Sequence, residues 1–159
     1  MKILHIDSTT DNINLFDEYV SQGKHIFVLI YLEGCGPCIA TRPEWKKIKN
    51  VLEDKYKAND DLVVIDVDQT LLEKMTKLKE QPKGFPTILY ITDKGKTSEE
   101  YNEEDEKLFR KIDSFEKWID SKMKKQKGGK RRKMSKRKKT KKIRKTRKNR
   151  KTRRNRNRK

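Results

Sequence analysis

This chain of 159 residues has little cysteine, little histidine and no long apolar run. A structural zinc site normally needs four protein ligands, and a catalytic one needs three and a water. The two cysteines and two histidines would all have to converge, and His5 and His25 lie in or beside predicted strands. The longest apolar run, Ile26–Leu32, is far too short to cross a bilayer. We therefore expect no metal site, no cofactor and no membrane span.

Acidic residues are absent after Asp120, although the chain holds 24 up to and including that position. The segment from Gln126 to Lys159 holds 22 of the 43 basic residues, which leaves 21 basic against 24 acidic groups in Met1–Lys125. The net charge of +19 therefore arises in the tail alone. This composition predicts a slightly acidic globular domain over residues 1–125, followed by a basic tail over 126–159.

The tail also lacks aromatic residues, and its apolar side chains are Met134 and Ile143. Such a segment buries too little surface to offset the entropy of ordering, so we expect it to be disordered when free. Its charge predicts non-specific binding to nucleic acid or another polyanion. The densest stretch, which is also a candidate nuclear-import signal, contains Lys130, Arg131, Arg132, Lys133, Lys136, Arg137, Lys138 and Lys139.

The N-terminal residues have no apolar core of signal-peptide length, because Asp7 interrupts them. We expect a soluble, monomeric protein of a reducing compartment, cytoplasmic or nuclear. In such a compartment two cysteines are more often metal-binding or catalytic than structural.

Hydrophobic periodicity predicts alternating strands and helices, and hence an α/β fold with a mixed sheet flanked by helices. The predicted strands are Ile3–Ile6, His25–Leu32, Asp61–Val67, Thr87–Thr92 and one more within Thr97–Asp113. The predicted helices are Asp11–Gln22, Cys35 to about Lys57 with an interruption at Pro43, Thr70–Glu80 and a last one from near Ser114.

The pair Cys35 and Cys38 admits three interpretations: half of a metal site, a structural disulfide or a redox pair. A disulfide that closes so short a loop restricts the unfolded chain very little. A cysteine at a strand-to-helix junction, by contrast, lies at a helix N-terminus, where unsatisfied N–H groups favour the thiolate that attacks disulfides. This context favours the redox interpretation, with Cys35 as nucleophile and Cys38 one turn later as the resolving thiol.

The residues from Ile3 to Met123 resemble the thioredoxin and protein-disulfide-isomerase superfamily. The resemblance rests on Cys35-Gly36-Pro37-Cys38 after an apolar strand, on Pro43 five residues later, and on Gly84-Phe85-Pro86-Thr87 before another strand. It implies a thioredoxin fold with four or five strands and a reversible Cys35–Cys38 disulfide. It also implies a cis-Pro86 beside the cysteines, and a surface at Gly34, Phe85, Pro86 and Thr87 that binds an extended substrate peptide.

Three positions depart from the family pattern. Gly34 stands where the family has a tryptophan, and Leu29 stands where it has a buried acid that helps to deprotonate the resolving thiol. The usual lysine partner of that acid maps to Val64, so an apolar core without a stranded charge is expected there. These departures leave no obvious general base for Cys38, because the nearby Glu33 is expected to be exposed. We therefore expect resolution by Cys38 to be slow and mixed disulfides to be long-lived.

Two function classes remain open at this stage. The first is a thiol-disulfide oxidoreductase that acts on protein disulfides with an unidentified electron donor, tethered to a polyanion by its tail. The second is a non-catalytic thioredoxin-fold protein whose tail binds nucleic acid. The Lys-, Asn- and Ile-rich composition with a basic tail also resembles thioredoxin-like proteins of large DNA viruses, which implies a virion-associated role.

Overall fold

A computed structural model describes residues 1–10, 12–102 and 110–124 of the chain. The chain divides into two units, Met1–Ile119 and Asp120–Lys159. In the second unit the described residues are 120–124. The predicted domain boundary at 125–126, the predicted tail and the candidate polyanion-binding residues between 130 and 139 all lie outside the described residues.

The first unit is built on a five-stranded mixed sheet with strand order β1-β3-β2-β4-β5. Strands β1, β3 and β2 are parallel, whereas β4 and β5 run antiparallel to their neighbours. The strands are β1 Lys2–Ile6, β2 His25–Tyr31, β3 Leu62–Asp68, β4 Thr87–Thr92 and β5 Thr97–Glu100. The helices are α1 Ile13–Gln22, α2 Gly36–Lys46, α3 Ile48–Tyr56 and α4 112–124, with 3₁₀ helices at Gln69–Lys74 and Asp93–Gly95.

The central strand β2 is buried on both faces, and its alternate side chains enter two separate cores. Its even-numbered residues face the first core, which contains the apolar side of α1 and the 3₁₀ helix at Gln69–Lys74. This core is formed by Ile6, Ile13, Phe16, Tyr19, Val20, Ile26, Val28, Ile30, Val63, Ile65, Val67, Leu71, Met75, Leu89 and Ile91. Ile13, Phe16, Tyr19 and Val20, which follow helical spacing in the sequence, form the buried face of α1 and are among them.

The second core is largely aromatic and lies on the opposite face of the sheet. Phe27 of β2 packs against Tyr90 with ring centroids 4.7 Å apart, and edge-on against Trp118 of α4 at 5.1 Å. Trp45 of α2 meets Phe115 of α4 edge-on at 5.2 Å. These edge-to-face contacts add to the burial energy. They hold α2, and therefore the residues at its N-terminus, against the end of β2.

Two predicted helices differ from the observed ones. The long helix is interrupted at Lys47, where α2 gives way to α3, and not at Pro43, which lies inside α2. The predicted helix Thr70–Glu80 is a 3₁₀ helix that ends at Lys74. Its start is fixed by the Asp68 carboxylate, which accepts the Thr70 N–H at 2.8 Å. Leu71 is therefore buried from a 3₁₀ helix and not from an α-helix.

Two boundaries at the end of the domain also shifted. The strand predicted within Thr97–Asp113 is observed at Thr97–Glu100. The sequence offers two candidates for this strand, Thr97–Asn102 and Lys107–Ile112, and positions 107–109 of the second lie outside the described residues. The last helix, predicted to begin near Ser114, begins at residue 112. In the described parts of the chain, no helix combines the length and the apolarity that crossing a membrane requires.

Candidate active site

Cys35 is the N-cap residue of α2, immediately after the loop that leaves β2. Its extended backbone, with φ −76° and ψ 121°, turns the sulfur back over the first turn of the helix. There Sγ accepts the Cys38 N–H at 3.3 Å, and the Cys35 carbonyl accepts the Ile39 N–H at 2.9 Å. A sulfur in this position accepts one of the N–H groups that the helix leaves free, which stabilises negative charge on it.

Cys38 is fully buried one turn into α2, and both cysteines are free thiols. Burial raises the pKa of the Cys38 thiol, and its hydrogen bond with Cys35 raises it further. The Leu32 backbone and the positive charge of Arg110 act in the opposite direction and lower this pKa. The two thiols are therefore unequal, since Cys35 is half-buried and accessible while Cys38 is enclosed.

The loop before β4 lies beside Cys35, as the resemblance implied. The Phe85–Pro86 peptide bond is cis, and the Phe85 carbonyl oxygen is 3.7 Å from Cys35 Sγ. Pro86 and Thr87 are buried, and the Thr87 hydroxyl donates to the Gly84 carbonyl at 2.7 Å, which closes the loop on itself. The backbone near Phe85 is therefore presented next to the nucleophile.

The other predicted site residues surround this centre. Gly34 has φ +76°, which favours glycine, and among the described residues no atom beyond its chain neighbours lies within 4 Å of the position that a Cβ would take. Gly36 and Pro37 form the first turn of α2, where proline needs no N–H partner. Pro43 lies further along α2 and is exposed.

An ion pair and a cation–π contact, both made by Arg42, were not expected from the sequence. Arg42 of α2 places its guanidinium carbon 3.8 Å from the ring centroid of Tyr31, and its Nη1 donates to Glu33 Oε1 at 2.7 Å. Burial raises the pKa of the Tyr31 hydroxyl, which the charge of Arg42 opposes. Glu33 is 69% exposed, as expected, but it is held in this ion pair.

The expectation of an apolar core beside Leu29 without a buried charge is wrong. The strand register places Asp66 of β3 directly beside Leu29, whereas Val64 is beside Phe27. Asp66 is 4% exposed, and its carboxylate is hydrogen-bonded to His5 Nδ1 of β1. Burial raises the pKa of Asp66, although His5, Lys46 and Arg42 oppose the shift. The residue pattern of β3 does not predict the ion pair of Asp66. A buried carboxylate in an apolar strand needs a partner, and here that partner comes from another strand.

Within the described residues, no three side chains of His, Cys, Asp or Glu are grouped as a metal ion would require. The arrangement is instead a pair of thiols at a helix N-terminus, next to a cis-proline loop and on a thioredoxin-like sheet. The thioredoxin family model matches residues 6–117. The chain belongs to the thioredoxin family.

Similar proteins include several protein disulfide-isomerases. The chain is 35% identical over 79 residues to protein disulfide-isomerase like 2-2 of Arabidopsis thaliana, across 49% of this chain and 16% of that protein. It is 30% identical over 102 residues to protein disulfide-isomerase of Drosophila melanogaster, across 64% of this chain and 18% of that one. The chain thus spans less than a fifth of the length of these relatives.

Solved structures share the fold. The J-Trx1 fragment of ERdj5 superposes with a TM-score of 0.55 at 18% identity, across 77% of this chain and 52% of that one. The Trx4 domain of ERdj5 gives 0.53 at 21% identity, across 75% and 95%. The sheet order and flanking helices described above are therefore those of a thioredoxin-fold domain.

Proposed function

We propose that this thioredoxin-family domain is a thiol-disulfide oxidoreductase in which Cys35 attacks and Cys38 resolves. The observation that carries the proposal is the Cys38 N–H bonded to Cys35 Sγ at 3.3 Å, with Cys35 as the N-cap of α2. A helix N-terminus is a position at which reactive cysteines are found. The similarity to protein disulfide-isomerases supports the same class of reaction.

The unequal burial of the two thiols assigns their order. The half-buried Cys35 meets the substrate disulfide and forms a mixed disulfide with one of its sulfurs. Cys38, whose pKa is raised by burial, stays protonated until the mixed disulfide has formed. It then loses its proton and attacks Cys35 Sγ, which forms the Cys35–Cys38 disulfide and releases the second substrate thiol.

The substrates in this proposal are protein disulfides, and the electron donor is an external dithiol. An extended peptide would pair with the backbone at Phe85 and Pro86, which lies beside the nucleophile. The direction of exchange is set by the reduction potential of the pair relative to its partners.

Reduction of insulin by dithiothreitol tests the proposal. The full chain should accelerate the reduction, Cys35→Ser should abolish the acceleration, and Cys38→Ser should accumulate a mixed disulfide. A truncated chain that ends at Lys125 should keep the full rate. If the intact chain gives no acceleration over dithiothreitol alone, the enzyme proposal fails and the non-catalytic binding role replaces it.

We also propose that the segment 126–159 binds nucleic acid or another polyanion without reading sequence. Its 22 basic side chains and its lack of aromatic residues support this role. The intact chain should bind random-sequence DNA with a log–log salt slope of roughly −0.9 per phosphate contacted. The truncated chain that ends at Lys125 should not bind, and equal binding by both chains would refute the assignment to the tail.

A further inference from the structure

Arg42 is the residue of α2 that reaches back to the chain preceding the nucleophile. Its Nη1 donates to Glu33 Oε1 at 2.7 Å, two residues before Cys35. Its guanidinium carbon lies 3.8 Å from the centroid of the Tyr31 ring, at the end of β2. One side chain on the helix that carries Cys38 therefore contacts two residues of the segment that carries Cys35.

The backbone of that segment turns at Gly34, immediately before Cys35 caps α2. Gly34 adopts φ +76°, and in the part of the chain that the structure describes no atom other than those of its chain neighbours lies within 4 Å of the position that a Cβ would take. The backbone hydrogen bond from Cys35 N–H to the Leu32 carbonyl is long, at 3.4 Å. A glycine with open space around it leaves its backbone more freedom than any other residue would.

The contacts of Arg42 are of a kind that fixes an orientation. Tyr31 is 2% exposed, so the ring on which the guanidinium stacks is packed within the core. Arg42 Nε is buried and has no hydrogen-bond partner among the described residues, so the stacking and the ion pair hold the group. A planar guanidinium stacked on an aromatic ring keeps its N–H donors pointing in one direction, whereas the donors of a lysine ammonium rotate freely.

We propose that Arg42, through Glu33 and Tyr31, is a positioning residue for the resolving step of disulfide exchange. The inference rests on the oxidoreductase function proposed above. Cys38 is buried in the core and Cys35 caps α2, so the alignment of the two sulfurs also depends on how the residues before Cys35 are held against α2. Reacting atoms must approach closely and in line, and small displacements slow such steps strongly.

In the resolving step the Cys38 thiolate attacks Cys35 Sγ of the mixed disulfide. The Cys35–Cys38 bond forms as the bond from Cys35 to the substrate sulfur breaks, and the substrate leaves as a thiolate that takes a proton from water. The two electrons of the protein dithiol now reside on the two substrate thiols. An external dithiol, such as dithiothreitol, returns the protein to its reduced form.

Single-turnover kinetics with a peptide disulfide separates attack from resolution. In Arg42→Ala the decay of the mixed disulfide should slow about threefold to tenfold, while attack by Cys35 stays within about twofold, given the usual strength of such ion pairs and cation–π contacts. Arg42→Lys keeps the charge and should restore only part of the rate. Glu33→Gln should slow decay to a smaller degree and add nothing in the Arg42→Ala background.

The matched control is Lys55→Ala, which removes the ion pair between Lys55 and Glu116 at 3.2 Å and should leave both steps unchanged. Far-UV circular dichroism and the melting temperature establish folding, and the exposed Glu33 provides a test even if Arg42→Ala unfolds. Three outcomes would overturn the inference and leave the oxidoreductase proposal intact. They are an unchanged decay of the mixed disulfide in Arg42→Ala, an equal slowing of both steps, and a full rescue by Arg42→Lys. If the wild type forms no mixed disulfide, the proposed function fails and the inference falls with it.

Discussion

The buried thiol of Cys38 experiences the positive charge of Arg110. Burial raises the pKa of Cys38, and the charge of Arg110 lowers it. Resolution needs the Cys38 thiolate, so the pH at which resolution becomes fast reflects the balance of these effects.

We predict that Arg110→Gln raises the pKa of Cys38 and slows resolution at neutral pH. Each unit of increase lowers the thiolate fraction about tenfold. The decay of the mixed disulfide, followed against pH by acid quenching, should reach its plateau at a higher pH than in the wild type. Arg110→Lys keeps the charge and serves as the control. Superimposable pH profiles for wild type and Arg110→Gln would show that Arg110 does not act on Cys38.

Asp66 gives the stability of the domain a pH dependence of known sign. Burial raises its pKa in the folded protein above the ordinary value of 3.8. The folded state therefore binds the proton more tightly than the unfolded state. This contribution favours the folded state below pH 3.8 and is lost as the pH rises through the raised value.

We predict that Asp66→Asn gains stability relative to wild type as the pH rises. The difference in free energy of unfolding should move in favour of the variant from below pH 3.8 to neutral pH, measured by urea denaturation. Asp54→Asn on α3 is the matched control, because it makes the same substitution at an exposed position. A difference that moves in favour of wild type over this range would contradict the raised pKa.

The strands determine which of these residues meet. Because β2 and β3 pair in parallel with Leu29 opposite Asp66, a carboxylate introduced at position 29 would lie directly beside an existing one. Two carboxylates this close share a proton, and neither then behaves as an independent base. The effect of an acid at the position where the family carries one is therefore best measured without Asp66.

We predict that Leu29→Asp combined with Asp66→Asn shortens the lifetime of the mixed disulfide relative to Asp66→Asn alone. The new carboxylate would supply the buried acid that this chain lacks at position 29. Stopped-flow measurement of mixed-disulfide decay compares the two variants directly. An unchanged decay would mean that the missing acid does not limit resolution.

The elements also show what the sequence could predict. The burial of β2 followed from its unbroken apolar composition, and the apolar face of α1 followed from helical periodicity. Cys35, Cys38 and the loop at Pro86 followed from local motifs. His5 and Asp66 are 61 positions apart, and Arg110 is far from Cys38 in the sequence. Such pairs depend on strand register and helix packing, which no local pattern specifies. Arg42 and Glu33 are only 9 apart, but their pairing depends on how the loop turns at Gly34.

The chain as a unit combines a slightly acidic thioredoxin-fold domain with a strongly basic segment. The proposed chemistry belongs to the domain, and the proposed polyanion binding belongs to residues 126–159. Because these two roles use different residues, each can be removed without the other, which makes the oxidoreductase assignment testable on the intact protein.

The most direct test of that assignment is the reduction potential of the cysteine pair. The intact protein is equilibrated with mixtures of reduced and oxidised glutathione, quenched in acid, and its free thiols are counted by mass spectrometry. We predict a single two-electron transition in which Cys35 and Cys38 are oxidised together, in the range of roughly −270 to −120 mV occupied by catalytic pairs of this kind. Glutathione adducts on single cysteines, with no Cys35–Cys38 disulfide at any ratio, would contradict the account.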